Sequence, residues 1–210
     1  MGGVEVQLTD AFFADEKSVG ENYVIPILMT GVQGADSILQ GKPVVENPAL
    51  TNSENWSVQP QNFVLYAVKY VNPWHGQYLR RGIDNATIDG TSKVIVRHEQ
   101  FVEKDEAVDI STESMKDNLL TLKTKDAAGN DISYTIRMSF TEDGVCTLSS
   151  GSQNAVVSGN GKFVSKGEKN SLGGKDRNAI YLDYTVNLTE NNIQLATKDT
   201  LVLRTRNVQG

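Results

Sequence analysis

Apolar and polar residues alternate along much of the chain, and this alternation predicts β-strands. Residues at every second position of a strand share one face, so the apolar positions form one side of a sheet. From residue 62 onward such segments recur, and the segments between them are rich in Gly, Asn and Asp, which favour turns. The predicted strands are 62–72, 92–101, 118–124, 132–140, 144–149, 154–166, 178–188 and 199–206. About eight strands at this spacing, without an amphipathic helix, predict an all-β antiparallel meander that closes into a barrel or folds into a sandwich.

The same alternation indicates which side chains face the interior. Tyr134, Ile136, Met138 and Phe140 share one face of their strand, and polar residues occupy the other. An eight-stranded barrel either is filled by its side chains or holds one small apolar ligand. The size of Tyr134 and Phe140 favours an interior that is mostly filled.

The first sixty residues have a different pattern. Residues 3–8 alternate and predict a strand, and Thr9 or Asp10 is suited to cap a short helical turn after it. The apolar run 23–29 contains Pro26, which donates no ladder hydrogen bond and therefore predicts an edge strand or a bulge. Three prolines fall within residues 40–61 and predict a boundary there. The predicted division is 1–45, a linker at 46–61, and a barrel domain at 62–210.

The stretch from Asn62 to Gly82 joins the first long strand of this predicted domain to a turn with candidate binding residues. These candidates are Trp74, His75, Tyr78, Arg80 and Arg81. An aromatic ring exposed in a turn offers a flat apolar platform to a sugar, and arginine donates to hydroxyls or carboxylates. The alternative is structural: Trp74 and Tyr78 close one end of the barrel, and the arginines pair with carboxylates such as Asp84.

Composition narrows the classes of function. The net charge of −6 is spread along the chain, which argues against nucleic acid as a partner because phosphate binding requires a concentrated basic face. The chain shows no apolar run long enough for a membrane helix, and no signal peptide is visible in it. The single cysteine, Cys146, is predicted to be a buried, unreactive thiol. The alternative, a nucleophilic cysteine, would require His75 or His98 as a basic partner.

Other motifs indicate turns rather than chemistry. Gly159-Asn160-Gly161 lacks the following helix of a dinucleotide-binding loop and predicts a bulge or tight bend. The segment Lys166–Lys175 lacks the ending of a phosphate-binding loop and predicts a hairpin tip. The spacing of acidic residues and histidines predicts neither a metal site nor a cofactor. A pair of catalytic carboxylates, such as Asp183 with Glu168, stays open because such pairs converge in three dimensions.

Several long phrases carry a family resemblance. They are TDAFFADEKSVGENYVIPILMTGVQGADSIL, FVLYAVKYVNPWHGQYLRRGID, SGNGKFVSKG, GGKDRNAIYLDYTV and TKDTLVLRTR. Together they resemble the cell-surface lipoproteins of Bacteroidetes, which pair an uncharacterised N-terminal β-sandwich domain with an uncharacterised, lipocalin-like C-terminal domain. The resemblance implies that the first half of the N-terminal domain and a lipoprotein signal precede the TDAFF phrase. It also implies a location at the outer surface or in the periplasm, with membrane association expected only through a lipid anchor that is absent from this chain. It transfers no catalytic residues.

These observations lead to three hypotheses for function. The first is a non-catalytic surface protein that binds a glycan or another extracellular ligand. The second is a lipocalin-like carrier of a small hydrophobic ligand in the barrel interior. The third is a structural or adhesin-type module without a defined ligand. Metal, cofactor and nucleic acid are not expected in any of them.

Overall fold

The structure is a computed structural model that describes residues 5–206. It divides into two compact units, Met1–Tyr70 (unit 1) and Val71–Gly210 (unit 2). The strands are β1 (Tyr23–Leu28), β2 (Lys42–Pro43), β3 (Trp56–Val58), β4 (Phe63–Val68), β5 (Gly76–Ile88), β6 (Thr91–Arg97), β7 (Glu106–Thr112), β8 (Asp117–Lys125), β9 (Asp131–Phe140), β10 (Val145–Ser150), β11 (Val156–Glu168), β12 (Arg177–Leu188) and β13 (Ile193–Thr205). One α-helix, α1 (Asp10–Ala14), and short 3₁₀ helices at Glu16–Val19, Ser53–Asn55, Val102–Lys104, Leu172–Gly174 and Thr189–Asn191 complete the described secondary structure.

Unit 1 contains α1 and two small antiparallel sheets. The helix starts after Thr9, but the Thr9 side chain makes no capping hydrogen bond. Strand β1 pairs with β4 over six residue pairs, with Pro26 opposite Leu65, and β2 pairs with β3. The strand predicted at 3–8 is not formed in residues 5–8, and residues 3 and 4 lie outside the described residues. The predicted linker, 46–61, contributes one strand, β3, to a small sheet of unit 1.

Unit 2 is a closed antiparallel β-barrel of eight strands. Each strand pairs with the next in the order β5, β7, β8, β9, β10, β11, β12 and β13, and β13 pairs with β5 to close the barrel. The remaining strand, β6, pairs with the second half of β5. The predicted all-β class and antiparallel barrel are confirmed.

The barrel interior is the hydrophobic core of unit 2. Inward-facing residues from all eight strands meet there, and the largest are tyrosines: Tyr78, Tyr134 and Tyr184 are at most 2% exposed. Apolar neighbours such as Leu120 and Met138, both fully buried, fill the space between them. Burial of a Leu or Met side chain contributes about 1.5–3 kcal/mol, so closure of the barrel stabilises unit 2 strongly.

Three local predictions differ from the structure. Phe63–Val68 pairs within unit 1, whereas the sequence suggested that it opens the barrel. The first barrel strand is instead Gly76–Ile88, in a segment predicted to be a turn. The glycines of Gly159–Gly161 form no bulge, because the β11–β12 register is continuous from Val156 to Val164 and shifts between Val164 and Glu168.

The glycines of β11 have a packing role instead. A Cβ atom on Gly161 would lie 2.5 Å from a methyl group of Leu182, and a Cβ on Gly159 would contact the backbone of Tyr184. Glycine at both positions therefore lets β11 approach β12 closely. The predicted hairpin tip at Lys166–Lys175 is confirmed, since this segment joins β11 to β12.

Candidate ligand-binding face

Trp74 and Tyr78, two of the predicted binding candidates, belong to the hydrophobic core of the barrel. Trp74 is 8% exposed and stacks on Phe140, with ring centroids 4.2 Å apart and an angle of 7° between the planes. Tyr78 is fully buried, and its hydroxyl donates to the carbonyl oxygen of Trp74 at 2.9 Å. His75 is half-buried, and its Nδ1 accepts from the backbone amide of Thr112 at 3.2 Å. Trp74 and Tyr78 are therefore buried, whereas the binding hypothesis expected an aromatic ring exposed in a turn.

Arg80 faces the barrel interior and belongs to a buried network of hydrogen bonds. Its guanidinium donates to Asp199 at 2.8 Å, to Glu106 at 3.1 Å and to the Tyr184 hydroxyl at 3.3 Å. Asp199 also accepts from the Tyr184 hydroxyl at 2.8 Å and from Arg97 at 2.6 Å. Arg80 and Asp199 are 2% and 3% exposed. The charge of Arg80 is therefore neutralised inside the fold.

The network includes a second carboxylate, Asp84, and it requires a glycine at a neighbouring position of β5. Asp84 accepts from Arg97 and, at 2.7 Å, from the Thr197 hydroxyl. A Cβ atom on Gly82, between Arg80 and Asp84 on the inner face of β5, would collide with the Asp199 carboxylate. Glycine at position 82 therefore makes room for the network.

Electrostatic effects in this network follow from burial and pairing. Burial opposes the charged form of Arg80, but Tyr184 and Asp199 favour it more, and the pKa of Arg80 is raised. Burial also raises the pKa of Tyr184 well above its ordinary value. Both groups therefore keep their usual protonation states at neutral pH.

Arg81 points to the outside of the barrel and is paired as well. Its Nε donates to Asp105 at 2.6 Å, and the Asp105 side chain is 1% exposed. Asp84, which sequence reasoning suggested as a partner for the arginine pair, is bonded to Arg97 instead. The five sequence-predicted candidates therefore do not converge on one open site, and ligand binding at them stays a prediction.

Cys146 lies in the apolar core rather than in a reactive site. It is fully buried on β10, and burial raises the pKa of its thiol to about 12. A thiol with such a pKa is protonated at neutral pH and is a poor nucleophile. Among residues 5–206 no cluster of His, Cys, Asp and Glu side chains is arranged to hold a metal ion. In the same range no helix is long and apolar enough to cross a membrane.

The outer surface of five adjacent strands forms a broad face of polar side chains with exposed aliphatic residues among them. Side chains on β11, β12, β13, β5 and β6 that lie opposite one another form rows across these strands. Two neighbouring rows consist of Ser158, Thr185, Ala196, Asn85 and Val94, and of Val156, Asn187, Gln194, Thr87 and Ser92. We call these ten residues the neutral face, because none of them is charged.

Two further rows continue the surface toward the hairpin at 169–176. The first contains Asn160, Asp183, Lys198, Ile83 and Val96, and the second contains Lys162, Tyr181, Thr200 and Arg81. We call these nine residues the charged end. Its charges are largely compensated, because Lys198 lies 3.0 Å from Asp183 and Arg81 is bonded to Asp105.

Three depressions follow this surface. One of about 540 Å³ lies at the charged end between Lys162, Tyr181 and Lys198. A second of about 420 Å³ lies over the neutral face, and a third of about 560 Å³ shares Thr87, Asn187 and Gln194 with it. At about 3.3 Å per residue, the six steps from Gln194 to Thr200 span roughly 20 Å, which is long enough for several sugar rings.

The amide side chains of the neutral face are available to a ligand. Asn85, Asn187 and Gln194 are exposed, and the structure gives none of their side-chain amides a hydrogen-bond partner within residues 5–206. Gln194 lies directly opposite Asn187 in the β12–β13 ladder. An amide both donates and accepts, so these groups match the hydroxyls of a sugar. By contrast, the Ser158 and Thr185 hydroxyls bond each other at 3.0 Å.

Tyr181 supplies an aromatic ring at the charged end. It is half-buried, and its hydroxyl donates to Glu168 at 2.8 Å. Burial and this hydrogen bond raise the pKa of Tyr181 to about 12, so the phenol stays neutral. Because the hydroxyl is anchored, the ring is held in one position between Lys162 and Thr200, its neighbours across the strands.

Comparison with known proteins places the barrel in a family. Residues 73–207 match the family described as Domain of unknown function (DUF5627). The chain belongs to the DUF5627 family. A crystal structure of a structural genomics protein of unknown function from Bacteroides ovatus, at 2.40 Å resolution, is 83% identical to the chain with a TM-score of 0.85. That match covers 97% of this chain and 65% of the Bacteroides chain, and no curated protein matches.

The DUF5627 match agrees with the structural division, since it begins three residues after Tyr70 and covers the barrel. The outer face lies entirely within this DUF5627 domain. Sequence reasoning missed the face because its rows depend on the pairing of β5 with β13, whose paired residues lie more than a hundred positions apart. The one local signal was the series of polar residues Asp183, Thr185 and Asn187 at alternate positions of β12.

Proposed function

We propose that this DUF5627 domain is a non-catalytic glycan-binding module whose ligand lies on the outer face of β11, β12, β13, β5 and β6. The observation that carries the proposal is the group of unpartnered amides at Asn85, Asn187 and Gln194, set in connected depressions on an open face. Sugar hydroxyls both donate and accept hydrogen bonds, and amides meet both needs. The apolar face of a sugar ring packs on an aromatic side chain, a role that Tyr181 fills at the charged end.

Binding without catalysis fits the chemistry of this face. Glycoside hydrolysis uses two carboxyl groups on either side of the scissile bond. The depression at the charged end is lined by two carboxylate residues, Asp183 and Asp199. Asp183 is paired with Lys198, and Asp199 is buried and accepts hydrogen bonds from Arg80, Arg97 and Tyr184. Glu168, the partner suggested for Asp183 from the sequence, accepts the hydroxyl of Tyr181 instead.

The carrier hypothesis has less support from the geometry. A lipocalin-like carrier requires an apolar space inside the barrel for its ligand. Here the interior contains the buried side chains of Tyr78, Tyr134 and Tyr184 and the pair formed by Arg80 and Asp199. Filling that space with a hydrophobic ligand would require these groups to move and the ion pair to lose its partners.

The proposal includes a location. The resemblance to lipoproteins of Bacteroidetes and the similarity to a Bacteroides protein support a module displayed at the cell surface or in the periplasm. In that setting a lipid anchor on a longer protein would hold the domain, and its partner would be an extracellular polysaccharide. Fractionation of cells that produce the full-length relative would test the location independently of binding.

Affinity electrophoresis tests the binding proposal. The protein migrates through native gels that contain a polysaccharide, and binding slows it relative to a gel without ligand. We expect Tyr181→Ala to reduce this retardation about tenfold, because aromatic contacts of this kind contribute about 0.5–1.5 kcal/mol beyond their buried area. The matched control is Tyr66→Ala, which removes a 55% exposed tyrosine from unit 1. Equal retardation in all gels, with and without polysaccharide, would refute the proposal.

A further inference from the structure

The neutral face differs in charge from the rest of the molecule. The chain has 46 charged residues among 210, since 20 are basic and 26 are acidic. Exposed positions normally contain most of the charge of a protein. Even so, ten side chains in two adjacent rows across five strands are uncharged, and most of them are exposed. Desolvating such a surface costs little, because no ion has to lose its hydration shell.

From this chemistry we infer that the ligand is a neutral glycan, without carboxylate, sulfate or amino groups, held by Asn85, Asn187 and Gln194. The inference rests on the proposed function and specifies its substrate class. Neutral hydroxyls exchange hydrogen bonds to water for hydrogen bonds to these amides at little net cost. A charged group placed on the same surface loses its hydration without gaining an opposite charge.

The surroundings of the neutral face also disfavour an anionic glycan. At the charged end, Lys198 is already paired with Asp183 at 3.0 Å, and Arg81 with Asp105 at 2.6 Å. Of the three cations there, only Lys162 makes no salt bridge within residues 5–206. The third depression reaches Asp89, a carboxylate at the hairpin tip between β5 and β6. The whole chain has a net charge of −6, which repels a polyanion before contact.

The shape of the face agrees with a ligand that crosses it without a deep pocket. Strands lie about 4.8 Å apart, so the four steps from β11 to β6 span roughly 19 Å. Small side chains, Ser158, Thr185 and Ala196, occupy one row from β11 to β13, and the amides of Asn187 and Gln194 lie in the next row beside them. A chain of sugars laid over the small residues would reach amides from two neighbouring strands.

A panel of soluble polysaccharides tests the inference with the intact chain. Uncharged glucans, mannans, xylans and galactans are compared with polygalacturonate and a sulfated galactan by isothermal titration calorimetry. We expect binding to at least one uncharged polymer, with less than about a twofold change in affinity between low and high salt, because screening acts on charges. The double variant Asn187→Ala/Gln194→Ala should lower that affinity about tenfold, since it removes two hydrogen bonds.

A matched control uses the same chemistry elsewhere on the barrel. The hydroxyls of Thr121 and Thr135 form a 3.0 Å pair on the outside of β8 and β9, as Ser158 and Thr185 do on the neutral face. We expect Ala196→Asp, which places a carboxylate in the middle of the neutral face, to abolish binding. Thr121→Asp, which places a carboxylate on the outside of β8, should leave the affinity unchanged.

Each other outcome is informative. Equal or tighter binding of an anionic polymer, or loss of binding in high salt, would overturn the inference and leave the proposed function standing. Absence of binding to every polymer would refute the proposed function and the inference together. A wild-type dimer in light scattering that Ala196→Asp converts to a monomer would identify the face as a self-association surface and overturn the inference.

Discussion

Units 1 and 2 both contain strands with large apolar side chains but bury them very differently. In unit 1, Leu28 on β1 and Tyr66 on β4 are 48% and 55% exposed. In unit 2, Tyr134 and Tyr184 on barrel strands are 1% and 2% exposed. The difference comes from closure: a two-stranded sheet covers neither of its faces, whereas a barrel encloses one face completely. An apolar strand therefore contributes to stability in proportion to what covers it.

The two units also use one polar motif in different surroundings. In each unit an aspartate accepts a hydrogen bond from a tyrosine hydroxyl: Asp199 from Tyr184 in the barrel, and Asp15 from Tyr23 in unit 1. The barrel pair is buried, and the pair in unit 1 lies nearer the surface.

Each unit also contains one of the two tryptophans, Trp56 in unit 1 and Trp74 in unit 2. Tryptophan fluorescence therefore reports on the units separately.

The largest expected effect is loss of the buried aspartate. Asp199→Ala leaves Arg80 and Arg97 with fewer partners inside the barrel, and we expect the free energy of unfolding of unit 2 to fall by about 3–5 kcal/mol. Urea denaturation followed by Trp74 fluorescence, in a Trp56→Phe background, measures this. The control Asp183→Ala, which breaks an exposed pair with Lys198, should cost less than about 1 kcal/mol. Similar losses in both variants would contradict the buried network.

The next effect compares the two tryptophans. Trp74→Ala removes a ring that stacks on Phe140, and we expect it to lower the free energy of unfolding of the barrel by about 3–5 kcal/mol. Trp56→Ala should cost less, since Trp56 is only half-buried and its indole nitrogen donates to the carbonyl of Ala49 at 3.0 Å. Far-UV circular dichroism during urea denaturation measures both variants.

Measuring the glycan affinity of the Trp74→Ala variant beside its stability separates the two interpretations of the Trp74 turn. Loss of stability with unchanged glycan affinity, measured at a urea concentration where Trp74→Ala is folded, supports the structural interpretation. Loss of affinity at unchanged stability would instead assign ligand binding to Trp74 and its neighbours.

The smallest effect concerns pH and unit 1. The hydrogen bond from Tyr23 lowers the pKa of Asp15 below its ordinary value of 3.8. A depressed carboxyl pKa contributes stability above the unfolded-state pKa, and this contribution is lost as the pH falls through the folded-state value. We expect Tyr23→Phe to reduce the stability of unit 1 at neutral pH and to make it less sensitive to acid below about pH 4. Acid titration followed by Trp56 fluorescence measures this, and parallel curves for both proteins would contradict it.

Local pattern predicts most of the barrel, because most of its strands have purely apolar inner faces. Strand β9 alternates between buried residues such as Ile136 and polar residues such as Thr135, and its predicted range, 132–140, differs from the structure by one residue. The sequence pattern did not predict strand β5, because the inner face of this strand is not purely apolar. Its inner face contains Arg80, Gly82 and Asp84, which resemble a polar turn in the sequence.

These inner polar residues are acceptable in the core only because distant residues pair with them. Arg80 requires Asp199, which lies 119 positions away in the sequence, and Asp84 requires Thr197, 113 positions away. A prediction from a short stretch of sequence includes only one member of each pair, and it therefore assigns that polar residue to the surface. The candidate face could not be predicted from the sequence for the same reason, since Asn85 and Gln194 approach each other only through the β5–β13 ladder.

The pairing of β5 with β13 also determines when the barrel can fold. These strands are the first and last of the barrel, and their ladder extends from Gln77 opposite Thr205 to Ile88 opposite Ile193. Contacts between residues so far apart are slow to form because the intervening chain loses entropy first. During synthesis, β5 waits with an unpaired edge until the ribosome has released β13. The same step joins Arg80 to Asp199, so closing the barrel also completes the pairing of the buried arginine.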